Sequence, residues 1–161
     1  MTAVPHLILR LSLKINGKQC VGFAADHLPP KWFTKDPASS LGEEVEDMFT
    51  VISHACDIAV HCRPADTVFS LWYEIYTNQK NWAEDTTFPS LLWGFGVSLV
   101  ERALIDGFCK VNNLNFAQAV RKNALGMRLD ILYKELRGIS PAQIVPSHPI
   151  DMIQIRHTIR M

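Results

Sequence analysis

The densest run of side chains capable of chemistry is His54, Cys56, His61 and Cys62, four potential metal ligands in one segment. A structural zinc site needs four such ligands converging as a tetrahedron, usually in pairs from two elements. On a helix, His54 and His61 lie two turns apart and share a face, whereas Cys56 sits well round the cylinder from His54. The spacing favours cysteines packed as small apolar residues instead. Glu43, Glu44, Glu46 and Asp47 form a second cluster. A magnesium ion needs oxygen ligands in octahedral array. These acids fall in the opening turns of a helix, where they favour its dipole and are expected to face solvent. Glu101, Arg102 and Asp106 share an apolar stretch with no nucleophile or base beside them, so ion pairs that orient the helix are expected. Cys109 has no histidine near it in sequence to activate its thiol. The last group is Lys31-Trp32-Phe33-Thr34-Lys35, large aromatics between lysines in a proline-punctuated loop. Such a loop either tucks its aromatics onto the core or presents them to a ligand, and residue type alone favours packing.

The elements that position these groups follow from periodicity. Leu7, Leu9, Leu11, Leu13 and Ile15 alternate with Arg10, Ser12 and Lys14, the pattern of a half-buried strand. Asn16-Gly17 supplies a type I′ turn, and Val21, Phe23 and Ala25 are expected to form the buried face of the returning strand, closed by Asp26. Three prolines break residues 27–40. Ser40 and Glu43 make a capping box for a helix reaching about Pro64, with Val45, Met48, Phe49, Ile52, Ala55, Ala59 and Cys62 as its buried stripe. Thr67 opens a second helix to about Trp82, and Thr87 with Pro89 a third, long and apolar, to about Val111. Asn115 and Gln118 start a short helix ending near Gly126. Arg128 to Arg137 is predicted to be a fifth with Gly138 after it, and Ser140-Pro141 opens one more turn. Met152 to Thr158 reads as a strand. A hairpin followed by helices predicts an α+β domain, a small antiparallel sheet packed on a helical bundle.

Composition sets the class. A chain of 161 residues with 48% hydrophobic and 20% charged residues matches an ordinary globular domain with a real core. Lys+Arg and Asp+Glu both number 16, and the basic residues are scattered, so nothing points to nucleic acid. Cys20, Cys56, Cys62 and Cys109 lack CxxC spacing and the density of a secreted scaffold, which suits reduced thiols in a cytoplasmic protein. Nothing at the N-terminus resembles a signal peptide, and no apolar run approaches the roughly 18–20 residues of a membrane span.

Several segments carry a resemblance. They are Val21-Gly22-Phe23-Ala24-Ala25-Asp26, the loop Leu28 to Pro37, the helix Ser98 to Cys109 with its hydrophobic-Glu-Arg-Ala-x-x-Asp run, and Leu114-Asn115-Phe116 with Leu125-Gly126. Together they resemble the capping domain of the enolase superfamily, in its mandelate racemase and muconate lactonizing branch. Ile153 to Thr158 is similar to the first strand of the barrel that follows in that family. The resemblance implies a capping (specificity) domain over 1–146, lacking its first strand, and a first-barrel-strand remnant over 150–161. The barrel itself, on the order of 200–250 residues, is expected to be missing. So are the strand-end carboxylates and Lys-x-Lys that would hold magnesium and move protons.

The resulting expectation is a substrate-selecting lid for metal-dependent proton abstraction next to a carboxylate, not catalytic alone. Full-length relatives would be magnesium-dependent racemases, lyases or cycloisomerases acting on small carboxylates, with no cofactor expected in this chain by itself. Lys31, Trp32, Phe33 and Lys35 would form the substrate loop, and His157 and Thr158 would stand at the barrel mouth. One alternative is a stand-alone interaction or small-ligand-binding module using loop 31–35. Another is an enzyme formed only when a different chain supplies the barrel. A homo-oligomer through the N-terminal hairpin is a further expectation, because an unpaired strand is a template for association.

Overall fold

Asn16 and Gly17 both adopt left-handed backbone (φ 50° and 81°), as a type I′ turn requires. They join β1 (His6–Ile15) to β2 (Lys18–His27) in a two-stranded antiparallel sheet with Leu9 opposite Ala24 and Leu11 opposite Gly22. The computed structural model describes residues 4–155. Three long helices follow: α1 (Leu41–His61), α2 (Val68–Ala83) and α3 (Ser90–Asn112). Short pieces come after them: α4 (Phe116–Arg121), α5 (Leu129–Leu132), a 3₁₀ turn at Lys134–Leu136 and α6 (Pro141–Ile144). The architecture is α+β, a hairpin packed on a helical bundle.

Helix starts are set by their caps. Ser40 accepts the Glu43 N–H while the Glu43 carboxylate accepts the Ser40 N–H, and Asn115 and Gln118 repeat the arrangement at α4. Each such cap satisfies amides that the helix itself leaves unpaired. Thr67 does the same for α2 by accepting from the Ser70 N–H. At α3 the cap position is Pro89 rather than the predicted Thr87, with no side-chain cap.

α3 is the axis of the molecule. Leu92, Val97, Leu99, Val100, Ala103 and Leu104 are all buried, with Met48, Val51, Ile52 and Ala55 of α1, Ile75 of α2 and Leu9 of β1 around them. Two close approaches account for the glycines there. A Cβ on Gly22 would come within 1.9 Å of the Ala103 carbonyl oxygen, and one on Gly96 within 2.2 Å of the Val51 oxygen. Where backbones come this near, only glycine fits. Gln79, fully buried, welds the bundle: its Nε2 donates to the Val51 oxygen at 2.9 Å and its Oε1 lies 2.7 Å from His54 Nδ1.

The close contact at Gly22 inverts the expected face of β2. Ala24 and Gly22 point inward, whereas Phe23 and Ala25 are exposed. The strand lies too near α3 for the larger side chains to face it. In α1 the buried stripe runs through Val51, and Phe49 sits at its exposed rim. The predicted fifth helix is broken: α5 ends at Leu132 and Tyr133 turns extended (φ −137°). Ile131, Leu132 and Tyr133 are exposed, so the segment has no core surface against which a longer helix could bury a stripe. Met152 to Ile155 are exposed and not in a strand, and the rest of that predicted strand lies outside the described residues. Among the described residues no helix is long and apolar enough to cross a membrane.

Candidate functional site

Residues 28–40 leave the hairpin and cross the end of the bundle. Leu28 anchors the start: its side chain is fully buried and its N–H donates to the Pro5 oxygen at 2.9 Å, one step beyond the strands. Lys31 takes a left-handed backbone (φ 64°), which turns its N–H onto the Glu44 carboxylate. Its ammonium donates to Glu44 Oε1 at 2.8 Å, to the Asp36 oxygen at 2.7 Å and to the Ser39 oxygen at 2.8 Å. The Ser39 hydroxyl also donates to Glu44. Lys31 is therefore the hub of the loop and not a cation held ready for a ligand. Glu44 is the other half of the hub, and the expectation that it faces solvent is corrected, since it is only 4% exposed. The hydrogen bond from Lys31, then that from Ser39, hold its carboxyl at about 2, far below the ordinary 4.5.

The aromatics divide. Phe33 is half-buried, with its ring 4.9 Å from that of Phe95 on α3, while Trp32 is 67% exposed. Lys35 is exposed. Val4, Asp26, His27, Pro29, Trp32, Phe33 and Phe95 enclose an open depression of about 750 Å³. Its floor is the Phe33–Phe95 pair, and Trp32 forms one wall. His27, one of the lining residues, has its ring 4.6 Å from that of His6, its partner across the strands.

Asp26 is shared with a second, wider groove of about 1240 Å³ along α3 that also includes Ser98, Glu101, Arg102, Asp106 and Phe116. Arg102 pairs with Asp26 (2.9 Å) and donates to the Ala25 oxygen (3.2 Å). Asp106 pairs with Lys110 (2.5 Å) and accepts the Phe23 N–H (2.8 Å). Burial alone would raise the Asp106 carboxyl, but the Lys110 ammonium and the Phe23 amide outweigh it and hold it low. The expected ion pairs thus form, but towards β2 and Lys110. Glu101 stays out of them, without an ion pair among the described residues, and burial pushes its carboxyl up against the opposing pull of Arg102. Sequence spacing gave no sign of this, because Arg102 stands next to Glu101 in the chain but reaches the other way.

His54 stacks on Trp82 at 3.9 Å and bonds Gln79, and His61 Nδ1 donates to the Asp57 oxygen. Among the described residues no group of three His, Cys, Asp or Glu side chains is arranged to hold a metal ion. All four cysteines are free. Burial, and then a nearby acid, pushes up the thiols of Cys56, Cys109 and Cys62, the last to about 11, so their nucleophilic form is disfavoured. His157 and Thr158 lie outside the described residues. The arrangement can hold an apolar or aromatic group between Trp32 and the Phe33–Phe95 pair, with Asp26, itself paired to Arg102, among the lining residues. It contains no nucleophile or base poised on a shared point.

No family model, no curated protein and no solved structure matches this chain.

Proposed function

We propose that the chain is a ligand-selecting lid, a capping module that is not catalytic alone and shapes the site of a catalytic domain. The resemblance to enolase-superfamily capping domains supplies the type, and one observation carries the reading. A loop pinned from below by Lys31 and Glu44 holds Trp32 out at 67% exposure beside an open, aromatic-floored depression. A large apolar side chain held in water on a fixed base is what selection of a ligand's shape requires. In this reading the ligand is a small carboxylate, magnesium enters only with a barrel, in the same chain or supplied by another, and the four free thiols suit a cytoplasmic setting.

The test is calorimetric and kinetic. The isolated chain is expected to show no micromolar magnesium site and to turn over no carboxylate substrate with magnesium present. A micromolar magnesium site, or turnover of a carboxylate, would overturn the lid reading. A second reading, a free-standing small-ligand module, is favoured by the depression itself. Saturable quenching of Trp32 fluorescence by a small ligand in the isolated chain, abolished in Phe95→Ala, would select it over the lid.

A further inference from the structure

The two edges of the hairpin differ. On β2, two of the outward groups are taken by α3: the Phe23 N–H donates to Asp106 and the Ala25 oxygen accepts from Arg102. In an antiparallel ladder, residues opposite one another both point outward or both point inward. The outward partners on β1 are therefore Arg10, opposite Phe23, and Ile8, opposite Ala25, followed in alternation by Ser12 and Lys14. Among the described residues, none of their backbone groups has a partner. The outward backbone groups of Ile8, Arg10, Ser12 and Lys14 thus stand open along a ten-residue strand. Because α3 lies against Gly22 of β2, the β1 residues Leu7, Leu11, Leu13 and Ile15 stay only half-buried. This edge has both free hydrogen-bonding groups and apolar surface left to cover.

We propose that β1 pairs with β1 of a second copy, antiparallel and centred on Leu11, to give a continuous sheet β2-β1-β1-β2. The strand's own sequence selects this occupant and this register. Centred on Leu11, Arg10 faces Ser12 of the other copy, Ile8 faces Lys14, Leu9 faces Leu13, and Leu7 faces Ile15. Every outward-pointing residue then meets another outward-pointing one, and the apolar face is continuous. Centring on Arg10 would set two arginines opposite each other, and centring on Ser12 would set Arg10 against Lys14, both destabilising. Centring on Leu9 or Leu13 shortens the paired stretch.

Sedimentation of the full chain tests the pairing, with residue 12 reporting its register. The wild-type protein is expected to associate to a dimer in a concentration-dependent way. Ser12→Glu places a carboxylate opposite Arg10 at both symmetry-related positions and should tighten the dimer by roughly fivefold, whereas Ser12→Lys should weaken it by a similar factor. Ser12→Pro removes an outward N–H without touching the β1–β2 ladder and should give a monomer. Ser12 is exposed, and circular dichroism of each variant reports that the fold is retained. A wild-type monomer at all concentrations would overturn the proposal, as would a dimer indifferent to these substitutions. So would a monomer in which the Ile8, Arg10 and Ser12 amides exchange slowly, because the chain's own residues would then be covering the edge.

Discussion

Residues 28–40 and residues 128–155 have similar raw material, prolines, serines and large apolar side chains without a long helix. The first segment converges on a carboxylate lent by α1: Lys31, Ser39 and Glu44 share hydrogen bonds, Leu28 is fully buried, and Phe33 sits against Phe95. The second closes mostly local bonds, such as Arg128 with Asp130, and leaves Tyr133 64%, Ile150 72% and Ile153 77% exposed. Its ties to the body are few, among them the Arg121 donation to the Pro146 oxygen at 2.8 Å. An irregular segment is held in place by a buried polar hub supplied from elsewhere, and its own apolar content does not substitute for one.

The comparison breaks most directly at Glu44. Glu44→Ala leaves the Lys31 ammonium and two hydroxyl or amide donors without their acceptor, and should cost about 3 kcal/mol, less than a fully buried pair because Lys31 is partly solvated. Chemical denaturation measures it. Acid does the same more gently. The Glu44 carboxyl is held at about 2 in the folded chain against an ordinary 4.5, so its contribution is complete above pH 4.5 and is lost as pH falls towards 2. About 2 kcal/mol, discounted for solvent around Lys31, should disappear across that window. Amide exchange in 30–36 should accelerate there in the wild type and change far less in Glu44→Gln. Phe33→Ala should cost about 1–2 kcal/mol for a half-buried ring, while Trp32→Ala stays below about 0.5 kcal/mol. Equal effects at the two positions would mean that Trp32 also packs. The smallest change belongs to the other segment, where Leu132→Ala with Tyr133→Ala should shift stability by less than about 0.5 kcal/mol. Limited trypsin digestion should cut at Lys134 or Arg137 before Lys35.

Much of the scaffold was legible because it is written locally. Alternation in Leu7–Ile15, the Asn16-Gly17 turn and the boxes at Ser40 and Asn115 each need only neighbouring residues to act. The inward face of β2 was not legible. Val21, Phe23 and Ala25 are the more apolar set, but the Ala103 carbonyl stands where a side chain on Gly22 would be, and a contact between residues so far apart in the chain leaves no local pattern. At the site, the residue types of the loop do not show that Lys31 is tied down by α1. Lys31 looked like a ligand-facing cation because Glu44 looked like one of several dipole-favouring surface acids. The bonds from Ser39 and Lys31 that separate Glu44 from Glu43 and Glu46 exist only once the loop has folded over α1.

Gln79 has a consequence for the ring beside it. Its Nε2 lies between the Val51 oxygen at 2.9 Å and the Trp93 oxygen at 3.5 Å, so a flipped carboxamide would set oxygen against oxygen. With that orientation fixed, Oε1 can only accept, and His54 Nδ1, at 2.7 Å, must carry a proton. A neutral His54 is thereby confined to one tautomer, with its Nε2 lone pair on the side of the ring away from Gln79. The core has set the polarity of an imidazole that lines the α1–α2 groove with Cys62 and Glu74. Nitrogen chemical shifts of His54 should report that single tautomer, and Gln79→Leu should release the ring to populate both.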